Sequence, residues 1–321
     1  MTDNILTQKP DKKRNFQWLF LILGPVVMLM TCLLDPPTGM SVAAFKTAGL
    51  AFWMASWWVS EVVPIPATAL LPLVISPLAD IAAIKSVAAP YAHPLIFLFL
   101  GGFLISIAME RWGLHKRIAL STMLYAGKKP SLQILAMMLV TAFLSMWMSN
   151  TATAVMMLPI ALSITNLVKQ SDPSNEGFGK ALLLSIAYGA SIGGIATLIG
   201  TPPNALMAAY LSDSYQIEIG FAQWMIVGVP LSLGMLIISW VWLTKFAYKV
   251  DANVKNDQKI DTKAVFSTQL KSLGIMQRAE KGVLFVFVLA ALCWIFRPLL
   301  GDITGLNISD TTIAIAAALL L

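Results

Sequence analysis

The chain has 321 residues, of which 58% are hydrophobic and 12% charged, with a mean hydropathy of +0.76. Soluble domains carry roughly a quarter charged residues, so this composition excludes a soluble globular protein and indicates an all-α polytopic membrane protein. The formal charge of +6 then belongs to basic loops on the cytoplasmic side rather than to a nucleic-acid-binding surface.

Residues 1–15 form a polar tail carrying Lys9, Lys12, Lys13 and Arg14. The apolar run from Phe16 to Leu34 is too long for a signal-peptide core. Pro36-Pro37 follows it without a small-residue cleavage pattern, so it is an uncleaved first span. A second span is expected from Ser41 to Val63 and a third from Pro64 to Leu78, with a tight reversal at Pro64-Ile65-Pro66. Asp80 to Tyr91 is mildly amphipathic and fits the lipid interface. Pro94 to Glu110 is a fourth span, in which Gly101-Gly102 permits close helix approach. Arg111 to Lys129 is polar enough to leave the membrane.

Ser131 to Val168 is apolar except for a polar interruption within SMWMSNTAT, residues 145–153. About 38 residues exceed the ~20 needed for one crossing, and the polar break falls near the middle. Two short limbs meeting at Ser149-Asn150-Thr151, a re-entrant hairpin, fit better than one long tilted helix. A second interruption, Gly200-Thr201-Pro202-Pro203-Asn204, lies inside the apolar stretch Ala181 to Leu211. With Gly189, Gly193 and Gly194 it predicts an unwound helix. Phe221 to Phe246 is a further span, Lys245 to Lys281 a lysine-rich amphipathic connection, and Gly282 to Leu300 another crossing. Thr311 to Leu321 is too short to cross at about 20 residues per span, so the sequence is expected to stop inside one.

Charge placement tests this topology. With a cytoplasmic N-terminus and a hairpin at 131–168, only Lys46, Lys85 and Arg297 of the 22 Lys and Arg residues fall outside. One full crossing at 131–168 would invert everything after it and place Lys169 and Lys180 outside.

Unwound backbone at membrane depth offers carbonyl oxygens to cations, and half-helix N-termini suit carboxylates. Ser145, Ser149, Asn150 and Thr151 add hydroxyl and amide oxygens of the hard type that Na⁺ prefers, and Thr201 and Asn204 repeat this chemistry. Neither break holds a Lys or Arg. The structural alternatives are an N-cap or interhelical hydrogen bonds for Ser149-Asn150-Thr151, and a plain proline kink at Pro202-Pro203. Glu61 and Glu110 suit interfacial positions better than a proton relay, and Trp53, Trp57 and Trp58 suit packing. Cys32 and Cys293 are far apart in apolar sequence, and His93 and His115 are isolated. No metal cluster or nucleophile–base pair emerges, which argues against an enzyme.

Four stretches together resemble the divalent anion–sodium symporter family of dicarboxylate, citrate and sulfate carriers. They are WWVSEVVPIPATALLPL (57–73), LIFLFLGGFLISIAMERWGLHKRIAL (95–120), MSNTATAVMMLPI (148–160) and YGASIGGIATLIGTPPNALMAAYL (188–211). The resemblance implies an inverted-repeat fold in a bacterial inner membrane, a dimerising scaffold and a transport domain that moves as an elevator. On that division 16–130 is scaffold-type. Residues 131–211 are transport-type, with the hairpin at 131–168 and the unwound helix at 181–211. Residues 212–281 are a span plus basic connection, and 282–321 begin a second repeat. It also implies Na⁺ ligation by Ser145, Ser149, Asn150 and the Gly200 carbonyl. A substrate carboxylate would be held by Asn150 and Thr151, with Thr201 nearby. The implied partners are Na⁺, a small dicarboxylate or other divalent anion, lipid and a second copy of the chain. Family members carry a second Ser-Asn-Thr hairpin that this sequence lacks, so it is expected to be the N-terminal two-thirds of a full member. The expected activity is sodium-coupled dicarboxylate uptake. A sulfate or inorganic-anion carrier, a dicarboxylate exchanger and a non-transporting scaffold subunit are the alternatives.

Overall fold

The computed structural model describes residues 12–126, 129–171, 176–250 and 262–321. The N-terminal tail up to residue 11 and the lysine-bearing stretch 251–261 lie outside the described residues. The described secondary structure is helical throughout, and the chain divides into two units, Met1–His93 and Pro94–Leu321. That boundary falls inside the stretch 16–130 expected to act as one scaffold.

The first unit contains α1 (Lys12–Leu33), α2 (Val42–Ser60), α3 (Ile65–Thr68), α4 (Leu71–Leu78), α5 (Ile84–Ala88) and a 3₁₀ turn at Ala89–Ala92. Ser41 accepts the Ala44 amide at 3.2 Å to start α2, and Glu61, at φ 51°, ends it. The helices α1 and α2 are antiparallel: Gly24 faces Trp53, Thr31 faces Gly49, and the Trp57 indole donates to the Leu21 carbonyl at 3.3 Å. The third expected span is two short helices, because Pro66 and Pro72 each favour a fresh helix start. Lys46 donates to the Ala79 carbonyl at 2.8 Å, closing the end of α4.

The second unit runs α6 (Pro94–Arg111), α7 (Leu114–Tyr125), α8 (Pro130–Ser145), α9 (Asn150–Ser171), α10 (Glu176–Ile195), α11 (Pro202–Tyr215) and α12 (Phe221–Val241). A π-helical turn follows at Trp242–Ala247, then α13 (Thr262–Ser272), α14 (Arg278–Ile295), α15 (Arg297–Thr304) and α16 (Asp310–Leu319). The expected Gly282–Leu300 crossing is bent by 79° between α14 and α15. Pro298 explains the break, since its ring would clash with the carbonyl four residues back. Among the described residues, Ile84–Arg111, Gly177–Ile195 and Phe221–Ala247 are long and apolar enough to cross a membrane, and the bent pair makes a fourth.

The α10 helix is the axis of this unit. Against α8 it runs parallel at a constant offset: Gly189 lies on Met138, Gly193 on Ala142, and Thr197 reaches Met146 across 51 residues. Against α9 it runs antiparallel, with Gly179 on Thr165 and Gly194 on Asn150. Hence α8 and α9 run in opposite directions and form a hairpin whose two outer ends lie together at the start of α10. A Cβ on Gly189 would stand 2.7 Å from the Met138 carbonyl, and one on Gly193 would collide with the Ala142 backbone. These glycines stay helical. They serve close approach, not the unwinding expected of them, which is confined to 196–201. The α12 helix packs antiparallel on the same axis, with Gly228 over Ala196 and the Ser232 hydroxyl donating to the Ile192 carbonyl at 2.9 Å.

At the opposite end, Arg117 of α7 grips the buried Glu280 of α14 through two nitrogens and donates twice to the Gly274 carbonyl at 3.2 Å. Nearby, His115 is buried with Nδ1 3.2 Å from the Met109 carbonyl, and burial holds its imidazole below the ordinary value. It is a core residue.

Glu280→Ala leaves the Arg117 guanidinium half-shielded and unpaired, and is expected to destabilise the unit by on the order of 3 kcal/mol; Arg117→Lys, without the fork, should not restore the pair. Gly193→Ala should lower the thermal midpoint in detergent because only backbone lies in the way. Gly282→Ala, with no atom within 4 Å of its Cβ, should raise it, by about 0.5–1 kcal/mol of helix propensity. Equal midpoints for the two glycine variants would contradict the packing axis.

Candidate functional site

The two polar interruptions meet. The hairpin link, Met146–Ser149, and the α10–α11 break, residues 196–201, lie side by side because α8 and α10 are parallel and in step. The fully buried Thr197 hydroxyl donates across the gap to the Met146 carbonyl and accepts the Gly200 amide at 3.1 Å. The Asn204 carboxamide donates to the Gly194 and Thr197 carbonyls at 2.8 and 2.7 Å, folding the break back on the end of α10.

Ser145 and Asn150 stand at the junction. The buried Ser145 Oγ is 2.7 Å from Asn150 Oδ1 and 2.7 Å from the Ala190 carbonyl. One hydroxyl proton serves one acceptor at a time, so one of these two close oxygen–oxygen contacts is left without a hydrogen. Such an oxygen-rich, proton-poor cluster suits a hard cation. Asn150 packs on Gly194, and Gly200 packs on Gly194 in turn, where a Cβ would stand 2.5 Å from the Gly194 carbonyl. Among the described residues, the Leu198, Ile199 and Gly200 carbonyls accept no hydrogen bond. Carbonyls left without donors in this way are the ligands that unwound membrane helices offer to ions.

The remaining expected residues occupy helix starts. Ser149 is the N-cap of α9: its Oγ accepts the Ala152 amide at 3.3 Å and its carbonyl the Thr153 amide at 3.0 Å. The cap is therefore observed, on the same oxygen that the ligand expectation assigns to Na⁺. The Asn150 and Thr151 amides have no acceptor among the described residues and form the open positive end of α9. Thr151 is exposed there. Thr201 is half-buried at the N-cap of α11, and its hydroxyl makes no capping bond. Pro202 and Pro203 delete two of the amides that α11 could have offered an anion, so α9 is the better anion end. The structure thus groups Ser145, Asn150 and Gly200 around Gly194, and sets Ser149, Thr151 and Thr201 at the two adjoining helix starts.

Three participants escape the sequence reading. Thr197 and Ala190 lie in apolar context and carry no signal alone. Gly194 stood out only as a helix breaker, whereas it is the surface on which Asn150 rests.

Residues 55–321 match the family described as citrate transporter. The chain is 39% identical over 325 aligned residues to the sodium-dependent dicarboxylate transporters SdcS of Staphylococcus aureus strains USA300, NCTC 8325 / PS 47 and COL. The alignments cover 98% of this chain and 62% of each relative, so the chain spans a little under two-thirds of the curated relatives it matches. These similarities agree with the divalent anion–sodium symporter resemblance of the four motif stretches. An all-α chain with at least three apolar helices of crossing length, matched over most of its length by a transporter family, is an integral membrane protein. The chain belongs to the citrate transporter family.

Proposed function

We propose that the chain serves sodium-coupled uptake of a small dicarboxylate of the succinate, malate or fumarate type, with Na⁺ carried as a second substrate. The observation that carries this reading is the convergence of Ser145 Oγ, Asn150 Oδ1 and the Ala190 carbonyl beside the unpaired carbonyls ending at Gly200. The names of the Staphylococcus aureus relatives support the sodium and dicarboxylate assignments.

In this reading Ser145, Ser149, Asn150 and the Gly200 carbonyl ligate Na⁺, while Asn150 and Thr151 hold a substrate carboxylate near Thr201. Asn150 is the hinge between the two functions. With its Oδ1 turned to Ser145, the carboxamide presents an oxygen to the cation. Turned by half a rotation, its amide donates to Ser145, whose proton then goes to Ala190, and the carboxamide oxygen no longer faces Ser145. Cation binding therefore selects the first orientation, and its charge favours an anion at the open amides of Asn150 and Thr151. Each ligand must raise the affinity of the other by the same factor. By the symporter resemblance the transport step is an elevator, in which a dimeric scaffold stays fixed while the hairpin body moves. The lysine and arginine distribution supports a cytoplasmic N-terminus in a bacterial inner membrane.

The test is succinate binding to the chain in lipid nanodiscs as a function of Na⁺, with sulfate as competitor. Succinate binding should require Na⁺, and ²²Na⁺ binding should tighten with succinate by the same factor. Asn150→Ala should abolish both without loss of membrane insertion. Ser149→Ala should weaken Na⁺ binding and also lower stability by about 1 kcal/mol through the lost cap. Na⁺-independent succinate binding, or full binding by Asn150→Ala, would refute the assignment.

A further inference from the structure

The hairpin link is only four residues long, and Trp147 lies within it. Its ring is 7% exposed and seated among three aromatics. It meets Phe287 edge-on at 5.0 Å between ring centres and stacks on Phe221 at 5.9 Å and Trp294 at 6.2 Å. Phe221 and Trp294 stack on each other at 4.8 Å. One residue fixes both. The Asp310 carboxylate accepts the Phe221 amide at 2.8 Å, and the Asp310 backbone carbonyl accepts the Trp294 indole at 3.0 Å. Arg297, 3.3 Å from the same carboxylate, holds that anchor in turn. The starts of α12 and α16 and the end of α14 are thus locked into one socket.

The Trp147 indole nitrogen is buried, with no hydrogen-bond partner among the described residues. The ring consequently acts through surface and stacking, not through its polar atom. Because Ser145 lies two residues before it and Asn150 three after, any shift of the ring must be transmitted to both. Neighbouring hydrogen bonds from Ser145 and Thr197 tie the other side of the link to α10. No part of the cation or anion chemistry uses Trp147, yet it is the largest side chain in the link.

We propose that Trp147 is the positioning residue of the cation site, its ring held in the Phe221–Phe287–Trp294 socket that Asp310 anchors, so that the Ser145, Asn150 and Gly200 oxygens converge before the ion arrives. This inference rests on the assignment of the hairpin tip as a Na⁺ site. Preorganisation of this kind acts on affinity by removing the ordering cost from binding.

The measurement is the half-saturating Na⁺ concentration for ²²Na⁺ binding to the full chain in nanodiscs. Trp147→Ala should raise it about tenfold, while succinate affinity at saturating Na⁺ changes less than about threefold. Trp147→Phe, which keeps a ring and loses only an unpartnered nitrogen, should stay within about threefold of the parent. Leu182→Ala, a cavity in the same core away from the link, should lower the thermal midpoint without shifting the Na⁺ dependence. Asp310→Ala leaves Trp147 in place and loosens its socket, and should raise the half-saturating concentration by about threefold or more; it decides the matter if Trp147→Ala does not fold. An unchanged Na⁺ dependence in Trp147→Ala or, failing that, in Asp310→Ala overturns the positioning role. So does an equal shift in Leu182→Ala, or a Phe variant as impaired as the Ala variant. Absence of Na⁺ binding by the parent chain would instead overturn the site assignment, and the positioning role with it.

Discussion

The second unit depends on the approach of α10 to two helices at once. Lipid gives apolar helices little reason to leave it for one another, so such contacts rest on dispersion and on how near the backbones come. Gly189 and Gly193 bring α10 against the α8 backbone, and Gly194 brings it under the carboxamide of Asn150. A side chain at any of the three would separate the hairpin from its support. The same contact sets the register. With α8 and α10 parallel and in step, Met146 falls opposite Thr197, and the Ser145 hydroxyl reaches back to the Ala190 carbonyl; with α9 antiparallel, Asn150 falls opposite Gly194.

From that register follows the handling of irregular backbone. A helix break within a membrane must find internal partners for its amides and carbonyls. Here the α10–α11 break supplies them for both: Thr197 serves Met146 of the hairpin link, while Asn204 serves Gly194 and Thr197 of its own segment. The settlement is incomplete in one place, where among the described residues the carbonyls from Leu198 to Gly200 have no donors. In the proposed reading, the binding chemistry is what remains when the two broken helices have been satisfied: a cation would complete the account, and the open amides of α9 would then favour an anion beside it.

The supports around this centre are of different kinds and sit at different levels. The aromatic socket of Trp147 is apolar and borders the link, closed by the Asp310–Arg297 pair. The Arg117–Glu280 fork lies at the other end of α14 and ties it to α7. One helix, α14, therefore connects a charged clamp at its start with the tip of the hairpin near its end.

Composition and local order alone determined that this chain is an all-α membrane protein, because few charges over long apolar runs leave no other way to satisfy the backbone. They also placed both interruptions, since Ser-Asn-Thr and Gly-Thr-Pro-Pro act on the helix that contains them. Tertiary structure decided what those interruptions are for. That Gly193 and Gly194 are contact surfaces and not breaking points, and that Trp147 leans on Phe221, Phe287 and Trp294, are facts about neighbours 44 to 147 residues away. Local propensity reports the cost of a residue in its own segment; the partner that offsets that cost is named only when the helices are laid side by side.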